Sequence, residues 1–320
     1  MKIIPKITVL AVLCGTSLAH AQGYPTRPIR MVVPWPPGGV TDVIARGLAA
    51  ALGDALSQQV VIDNRPGAAG TLGVGILAKS PADGYTLMMS DVPSHAISAS
   101  LYKTLPYDPA RDVEPLSLPS RSPLVLVVPQ KLGVKSIPQL IDLAKTQAGK
   151  LSFASSGPGS ITHLTSERFK RDAKIDLLHV PYKGGAPATA AMVAGESDMG
   201  FACISAAVPH IKSGRLLLLG VTAAKRSPVF PDAPAVAETL PGFEMGCNTG
   251  FFAPGGIPNN LADRLHALAI KAVEEPRMKS LLASNSAESA PFARAQFKAY
   301  VAKEMRDWGE VVRAAGLKVN

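Results

Sequence analysis

Residues 153–167 read FASSGPGSITHLTSE, four serines and two glycines around one proline, with a histidine close behind. Three chemistries suit such a stretch: a serine nucleophile, a phosphate loop, or a cradle of backbone N–H groups for another anion. The nucleophile fits poorly. A hydrolase elbow needs Gly-x-Ser-x-Gly at a sharp strand-to-helix turn, and Phe153 and Ala154 stand where the first glycine and its spacer belong. His163 follows Ser160 by three positions, which a helix would bring to one face, but no Asp or Glu is in view to orient the imidazole. The phosphate loop fails outright, because Gly-x-x-x-x-Gly-Lys-Ser/Thr is absent and GPGSIT lacks the third glycine of a dinucleotide fingerprint. The six histidines form no His-x-x-x-His or His-Glu-x-x-His pair, so neither metal nor cofactor is expected.

The anion cradle remains. Ser155-Ser156-Gly157-Pro158-Gly159-Ser160 offers hydroxyls, two residues that let the backbone approach a ligand, and a helix start with free N–H groups. PPGGVTD, residues 36–42, has the same character, with Thr41 or Asp42 expected to cap the helix that follows. Charge-assisted hydrogen bonds contribute about 1.5–3 kcal/mol each, so about four reach the roughly 8 kcal/mol of micromolar binding without an arginine.

Both loops must be held by something, and the pattern around them is a strand then a helix. Short β-type runs are expected at 29–33, 60–64, 85–91, 124–130, 152–155, 177–182, 198–202 and 216–222. Helical spacing follows several of them, with a capped helix at 136–146 and helices over 261–279 and 295–315 near the end. Strands alternating with helices predict an α/β protein with mostly parallel sheets, whose ligands sit beyond the carboxyl ends of strands.

The whole chain sets further bounds. Lys2 and Lys6 precede an apolar run from Ile7 to Leu13 and the small-residue end Ala19-His20-Ala21, which predicts a secretory leader over 1–21. A bulky Leu13 ahead of Cys14 argues against lipidation. No later segment is both uncharged and as long as the ~18 residues a membrane span needs. Removing the leader takes two lysines and no acid, so the net charge falls from +9 to +7. That basic balance suits anions in general; with 5% aromatic residues and no basic run interleaved with them, nucleic acid is not expected. About 300 mature residues fit two domains. Cys203 and Cys247 outlast processing, and a disulfide and two buried thiols are both open readings.

Seven blocks in order, YPTRPIRMVVPWPPGGVTDVIAR, VVIDNRPGAAGTLG, PADGYTLMMS, LYKTLPYDPARD, FASSGPGSITHL, VPYKGGAPA and RSPVFPDAPAVAE, resemble the Bug/TctC family of periplasmic solute-binding receptors of tripartite tricarboxylate transporters. The resemblance implies a two-lobed Venus-flytrap fold. One lobe would hold residues 22–123 plus 248–320 and the other 124–247, with crossings near Ser122–Val125 and Gly246–Phe252. It implies a monomer in the periplasm that binds a small organic acid between the lobes and serves membrane transporter subunits, with no reaction performed. Its implied ligand contacts are Pro37, Gly38, Gly39, Val40, Thr41 and Asp42 on one loop and Ser155, Ser156, Gly157, Pro158, Gly159 and Ser160 on the other. Asp42 is read as a loop-shaping cap, since a carboxylate aimed at an anion would repel it.

The distal wall implied by the resemblance spans Ser90 to His95, Tyr182 to Gly184, Ala202 to Ser205 and Cys247 to Thr249, with Ser90, His95, Tyr182, Lys183, Gly184, Ala202 and Cys203 as contacts. His95 also reads as a hydrogen-bonded loop residue and Lys183 as a solvated charge. The family's pattern leads one to expect a polar or acidic group near Ala202 and Cys203 and an aromatic near Cys247 to Thr249, and smaller residues stand in both places. The small residues there imply that an ammonium would lack an acidic partner, which favours a dicarboxylic or aromatic acid without an amine. The competing expectations are a secreted serine-dependent hydrolase and the effector lobe of a transcription factor. The second needs a helix-turn-helix domain and sits badly with a secretory leader.

Overall fold

The computed structural model describes residues 23–227, 230–314, 316 and 317. The expected leader, its cleavage before Gln22 and Cys14 lie outside the described residues. The chain opens with β1 (Ile29–Val33), α1 (Val40–Leu56) and β2 (Val60–Asn64), then α2 (Thr71–Ala78), β3 (Thr86–Asp91), α3 (Val92–Leu101) and β4 (Val113–Arg121). A second run follows: β5 (Leu124–Pro129), α4 (Ile137–Thr146), β6 (Ser152–Ser155), α5 (Ile161–Ala173), β7 (Leu178–Pro181), α6 (Gly185–Ala194), β8 (Met199–Cys203), α7 (Ile204–Lys212) and β9 (Leu216–Val221). The chain ends with β10 (Thr249–Pro254), α8 (Asn259–Glu274), α9 (Pro276–Ser284), β11 (Glu288–Ser289) and α10 (Arg294–Ala314).

Two sheets result, ordered β11-β4-β10-β3-β1-β2 and β7-β6-β8-β5-β9, both flanked by helices. The sheets are mixed rather than mostly parallel. β1 pairs in parallel with β2 and β3, and β6 with β7 and β8, whereas β10 runs antiparallel to β3 and β4 and β5 antiparallel to β8 and β9. The antiparallel strands are those beside the passages between sheets, where β4 feeds β5 and the second sheet returns into β10. β4 escapes a sequence reading because Pro115 and Pro119 interrupt it, residues rarely met inside a strand. The helix expected over 261–279 is two, α8 and α9, because Pro276 cannot donate to the preceding turn and opens a new helix instead.

What positions the site is the repeated arrangement around β1 and β6. Each has its next two strands on opposite sides, β2 and β3 about β1, β7 and β8 about β6. Helices therefore leave in opposite directions beyond the carboxyl ends of β1 and β6, which opens a crevice there in each sheet. The passages between sheets are laced together: Pro123 bridges Gly246, Cys247 N–H donates to Ser122 O at 2.7 Å, and Asn248 Nδ2 donates to the Tyr300 hydroxyl at 2.6 Å. α10 joins both halves, with Phe297 and Val301 packed beside Met88 and Phe252, and Trp308, Val311 and Val312 in the core that holds Phe153 and Phe169. Among the described residues no helix is long and apolar enough to cross a membrane.

Candidate functional site

Between the sheets lies a cavity of about 800 Å³. Helix starts dominate its wall. The first residues or caps of α1 (Gly39, Val40), α3 (Asp91), α5 (Ser160, Ile161), α6 (Gly184, Gly185) and α7 (Cys203) all line it. The positive ends of five helix dipoles and their unpaired N–H groups thus converge on one space. Among the described residues lining it, Asp91 is the one charged side chain.

The α1 start is open. Its cap is Gly39, not Thr41 or Asp42, and a glycine has no side chain with which to cap. The N–H groups of Val40, Thr41 and Asp42 find no acceptor among the described residues. Asp42 instead points away from the cavity, 1% exposed, and organises the loop from behind. Its carboxylate accepts from Gly38 N–H at 2.9 Å, from Arg46 at 2.9 and 3.1 Å and from Asn64 Nδ2 at 2.8 Å. Burial pushes the Asp42 carboxyl up, but the bonds from Arg46, Gly38 and Asn64 outweigh it and hold the group below the usual carboxylate range. Gly38 sits at φ +84°, where an L-residue is strained.

The α5 start is furnished differently. Ser160 caps it, its hydroxyl accepting from His163 N–H at 3.3 Å. Most N–H groups of the loop are used at home: Ser156 N–H on Thr162 Oγ1 at 2.9 Å, Gly157 N–H on Ser155 Oγ at 3.1 Å, Gly159 N–H on His163 Nδ1 at 3.0 Å. What the loop can offer an anion is the N–H groups of Ile161 and Thr162, which have no acceptor among the described residues, and the hydroxyls of Ser156 and Ser160 clustered on Thr162 Oγ1 at 2.8 and 3.2 Å. Gly159 sits at φ +73°, where an L-residue is strained, and a Cβ there would push on the Leu101 Cδ2 methyl, 2.7 Å away.

His163 has a structural duty that its position in the sequence did not reveal. Its ring lies 3.9 Å from that of His179 and nearly parallel to it, and burial, then His179, then Lys170 push its pKa down to about 4. It is therefore neutral near pH 7, and Nδ1 can accept Gly159 N–H. His179 Nε2 in turn lies 2.6 Å from Ser155 Oγ. This serine–histidine pair is no nucleophile at the cavity: Ser155 is fully buried and off the wall, and its oxygen already accepts from Gly157.

Of the residues expected as contacts, Pro37, Gly38, Gly39, Val40, Thr41, Ser156, Pro158, Gly159, Ser160, Gly184, Ala202 and Cys203 line the cavity. Asp42, Ser155 and Gly157 stand behind the loops they shape. Ser90 is buried in β3, and His95 is buried with its ring against Phe252. Tyr182 reaches toward Glu196 and Lys183 is exposed to solvent, so neither lines the cavity. The reading of sequence missed Trp35, Ile97, Leu101, Tyr102 and Phe201 on the wall, and Thr162 at the hub of the hydroxyl cluster. The available signal for α3 was Asp91 followed by Pro93, a cap with a proline in the first turn. The sulfurs of Cys203 and Cys247 lie 2.8 Å apart on the wall. No acid stands near Ala202 and Cys203, and the one acid on the described wall is Asp91 at the cap of α3.

The chain matches the family model described as "Tripartite tricarboxylate transporter family receptor" over residues 44–317. It is 36% identical to the protein BugT of Bordetella pertussis over 93% of this chain and 92% of that one. The R. palustris protein Rpa4515, solved with adipate, superposes with a TM-score of 0.80 at 33% identity, over 92% of this chain and 99% of that one. MatC from Rhodopseudomonas palustris, with bound malate, gives 0.76 at 31% over 90% and 100%.

Proposed function

The chain belongs to the tripartite tricarboxylate transporter receptor family, whose structural neighbours are periplasmic binding proteins, and from that premise we propose that it captures a small organic acid in the cleft between its two sheets. One carboxylate is held between the α1 and α5 starts and the ligand is handed to membrane transporter subunits by a monomeric receptor. The observation that carries this reading is the convergence of five helix starts on one cavity whose described wall bears no cation. Val40, Thr41, Ile161 and Thr162 supply N–H groups and Ser156 and Ser160 supply hydroxyls, so a carboxylate there would gain charge-assisted bonds where the helices leave donors unpaired. The rest of the wall, with Ile97, Leu101, Tyr102 and Phe201, is suited to the ligand's carbon skeleton. The adipate and malate of the two solved relatives are of the same chemical class.

Thermal-shift screening over mono-, di- and tricarboxylates, aromatic acids and amino acids tests the proposal. Ligand at about one hundred times its Kd stabilises the folded state by about 2.7 kcal/mol, a shift of several degrees. The expected result is a shift with at least one free acid and none with its methyl ester. No shift with any acid, or ester hydrolysis lost in Ser156→Ala, overturns it.

A further inference from the structure

Two cysteines meet on the wall of the cavity. Cys203 ends β8 and is the cap residue of α7, and Cys247 lies on the passage by which the second sheet returns to β10. They stand 44 positions apart in the chain, yet their sulfurs are 2.8 Å apart, and both residues are half-buried and open onto the cavity. The backbone brings them together. Cys203 stands opposite Leu124 in the ladder of β5 and β8, Pro123 bridges Gly246, and Cys247 N–H donates to Ser122 O at 2.7 Å. Both residues are thus fixed against the same outgoing passage, 122–124, by main-chain pairing that does not involve the sulfurs.

Cys203 is also placed to react. It sits at the start of α7 with no side-chain cap bond, where the helix dipole favours a thiolate. The hydrogen bond between the two sulfurs holds the Cys203 thiol below its ordinary pKa and pushes Cys247 up. A thiol that ionises readily, open to a cavity and beside a second cysteine, is the arrangement of a pair that exchanges with disulfides.

We propose that Cys203 and Cys247 are a disulfide-forming pair, closed by exchange with a disulfide of the oxidising compartment in which the family's receptors work, and that the bond fastens the start of α7 on the ligand wall to the passage between the sheets. In the exchange the Cys203 thiolate attacks one sulfur of the donor disulfide and expels the other. Cys247 then attacks Cys203 in the mixed disulfide and displaces the second donor sulfur. The protein gives up two thiol hydrogens and two electrons, and the donor takes them up as two thiols. Because Cys203 belongs to the second sheet and Cys247 begins the return to β10, the bond makes the start of α7 and the passage one piece. Any rotation of one sheet against the other is then taken up beyond Cys247.

The test starts from native protein exported and isolated without reductant, treated with oxidised glutathione, unfolded in urea and alkylated with iodoacetamide. Neither cysteine should be labelled, and digestion should release one peptide pair joined through Cys203 and Cys247 of a single chain. Dithiothreitol should open both to labelling and lower the urea midpoint by about 1 M, the loss expected of a cross-link that closes a loop of this length. Cys247→Ser keeps the residue that begins α7, and should show the midpoint of the reduced protein with or without dithiothreitol. Alkylation of either cysteine after oxidised glutathione, a glutathione adduct that persists on Cys203, a bridge between two chains, or a native midpoint that dithiothreitol leaves in place each overturns the pair. None of these outcomes depends on an acid binding in the cleft, so the receptor reading stands or falls separately.

Discussion

The α1 and α5 starts open on the same cavity after equivalent strands, β1 and β6, yet they are built from different materials. At α1 the cap position is a glycine and three N–H groups are left without acceptors, while the loop is held from behind by the ionic cluster of Asp42 with Arg46 and Asn64. At α5 a serine caps the helix and the loop is held from within by neutral groups: hydroxyls, glycine N–H groups and an uncharged imidazole. The difference assigns the labour. The α1 start lacks a cap that a ligand carboxylate can supply. The α5 start has its serine cap, keeps the N–H groups of Ile161 and Thr162 for a ligand, and adds hydroxyls to a bond made chiefly at α1.

Supplying α1 with a cap should break that division most sharply. In Gly39→Asp a new carboxylate would sit where the ligand's belongs. Gly39 has φ −72° and a Cβ would meet nothing nearer than Pro36 O at 3.8 Å, so the backbone tolerates the change. Affinity for every carboxylate should fall by 100-fold or more, about the loss of two charge-assisted bonds, while unfolding stability rises by a few tenths of a kcal/mol. Titration calorimetry and urea denaturation read the two effects. A loss of affinity together with a loss of stability would mean that the loop, not the anion site, had been damaged.

Asp42→Ala attacks the same start from behind. It leaves Gly38 N–H without its acceptor, takes from the Asn64 amide one of its two acceptors, and should cost about 2–3 kcal/mol in urea denaturation, with roughly tenfold weaker binding as the loop loosens. Ser160→Ala, the matching change at α5, removes a cap and should cost about 1 kcal/mol with a smaller fall in affinity. Equal losses of affinity from the two changes would erase the distinction between the starts.

Much of this pair was legible in the sequence because glycine, serine and proline in PPGGVTD and SSGPGS state a local conformation. Positive φ at Gly38, Gly157 and Gly159 and a helix beginning two or three residues on are short-range consequences of residue type. The β–α order about β1 and β6 followed from hydrophobic period. What stayed hidden depends on side chains meeting across the fold. His163 and His179 stack because β6 and β7 pair in parallel, Asp91 faces Trp35 because β3 and β1 are neighbours, and no spacing within either segment announces those contacts. The starts of α6 and α7 entered the expected site only through the family resemblance, as Gly184, Ala202 and Cys203, and not through any capping motif. They have no capping side chain to betray them, and that lack is what makes them suited to an anion.

The smallest effect separates the two starts by pH. His163 in the folded protein is held near 4, below the 6.5 of an unhindered imidazole, so between those values the unfolded chain binds a proton that the folded chain refuses. Stability carried by the neutral ring is therefore whole above about pH 6.5, falls as the pH drops toward 4, and falls no further from this group below that. His179 and Lys170 add to the effect by disfavouring the charged ring, whereas Glu167, 3.8 Å from Nε2, is an acid that favours it and is outweighed. Asp42 has the opposite bearing. Its folded pKa lies below the ordinary carboxylate value, so its contribution is intact above about pH 4 and is lost only as the pH falls through that lower folded value. Urea midpoints from pH 7 to 4.5 should decline in the native protein and less steeply in His163→Gln, whose amide oxygen can still accept Gly159 N–H. Asp42→Asn should leave the slope in that window unchanged and flatten it only below pH 4. A His163→Gln slope identical to the native one would show that the α5 loop is not held by a neutral histidine, and the contrast between an ionic and a neutral start would fall with it.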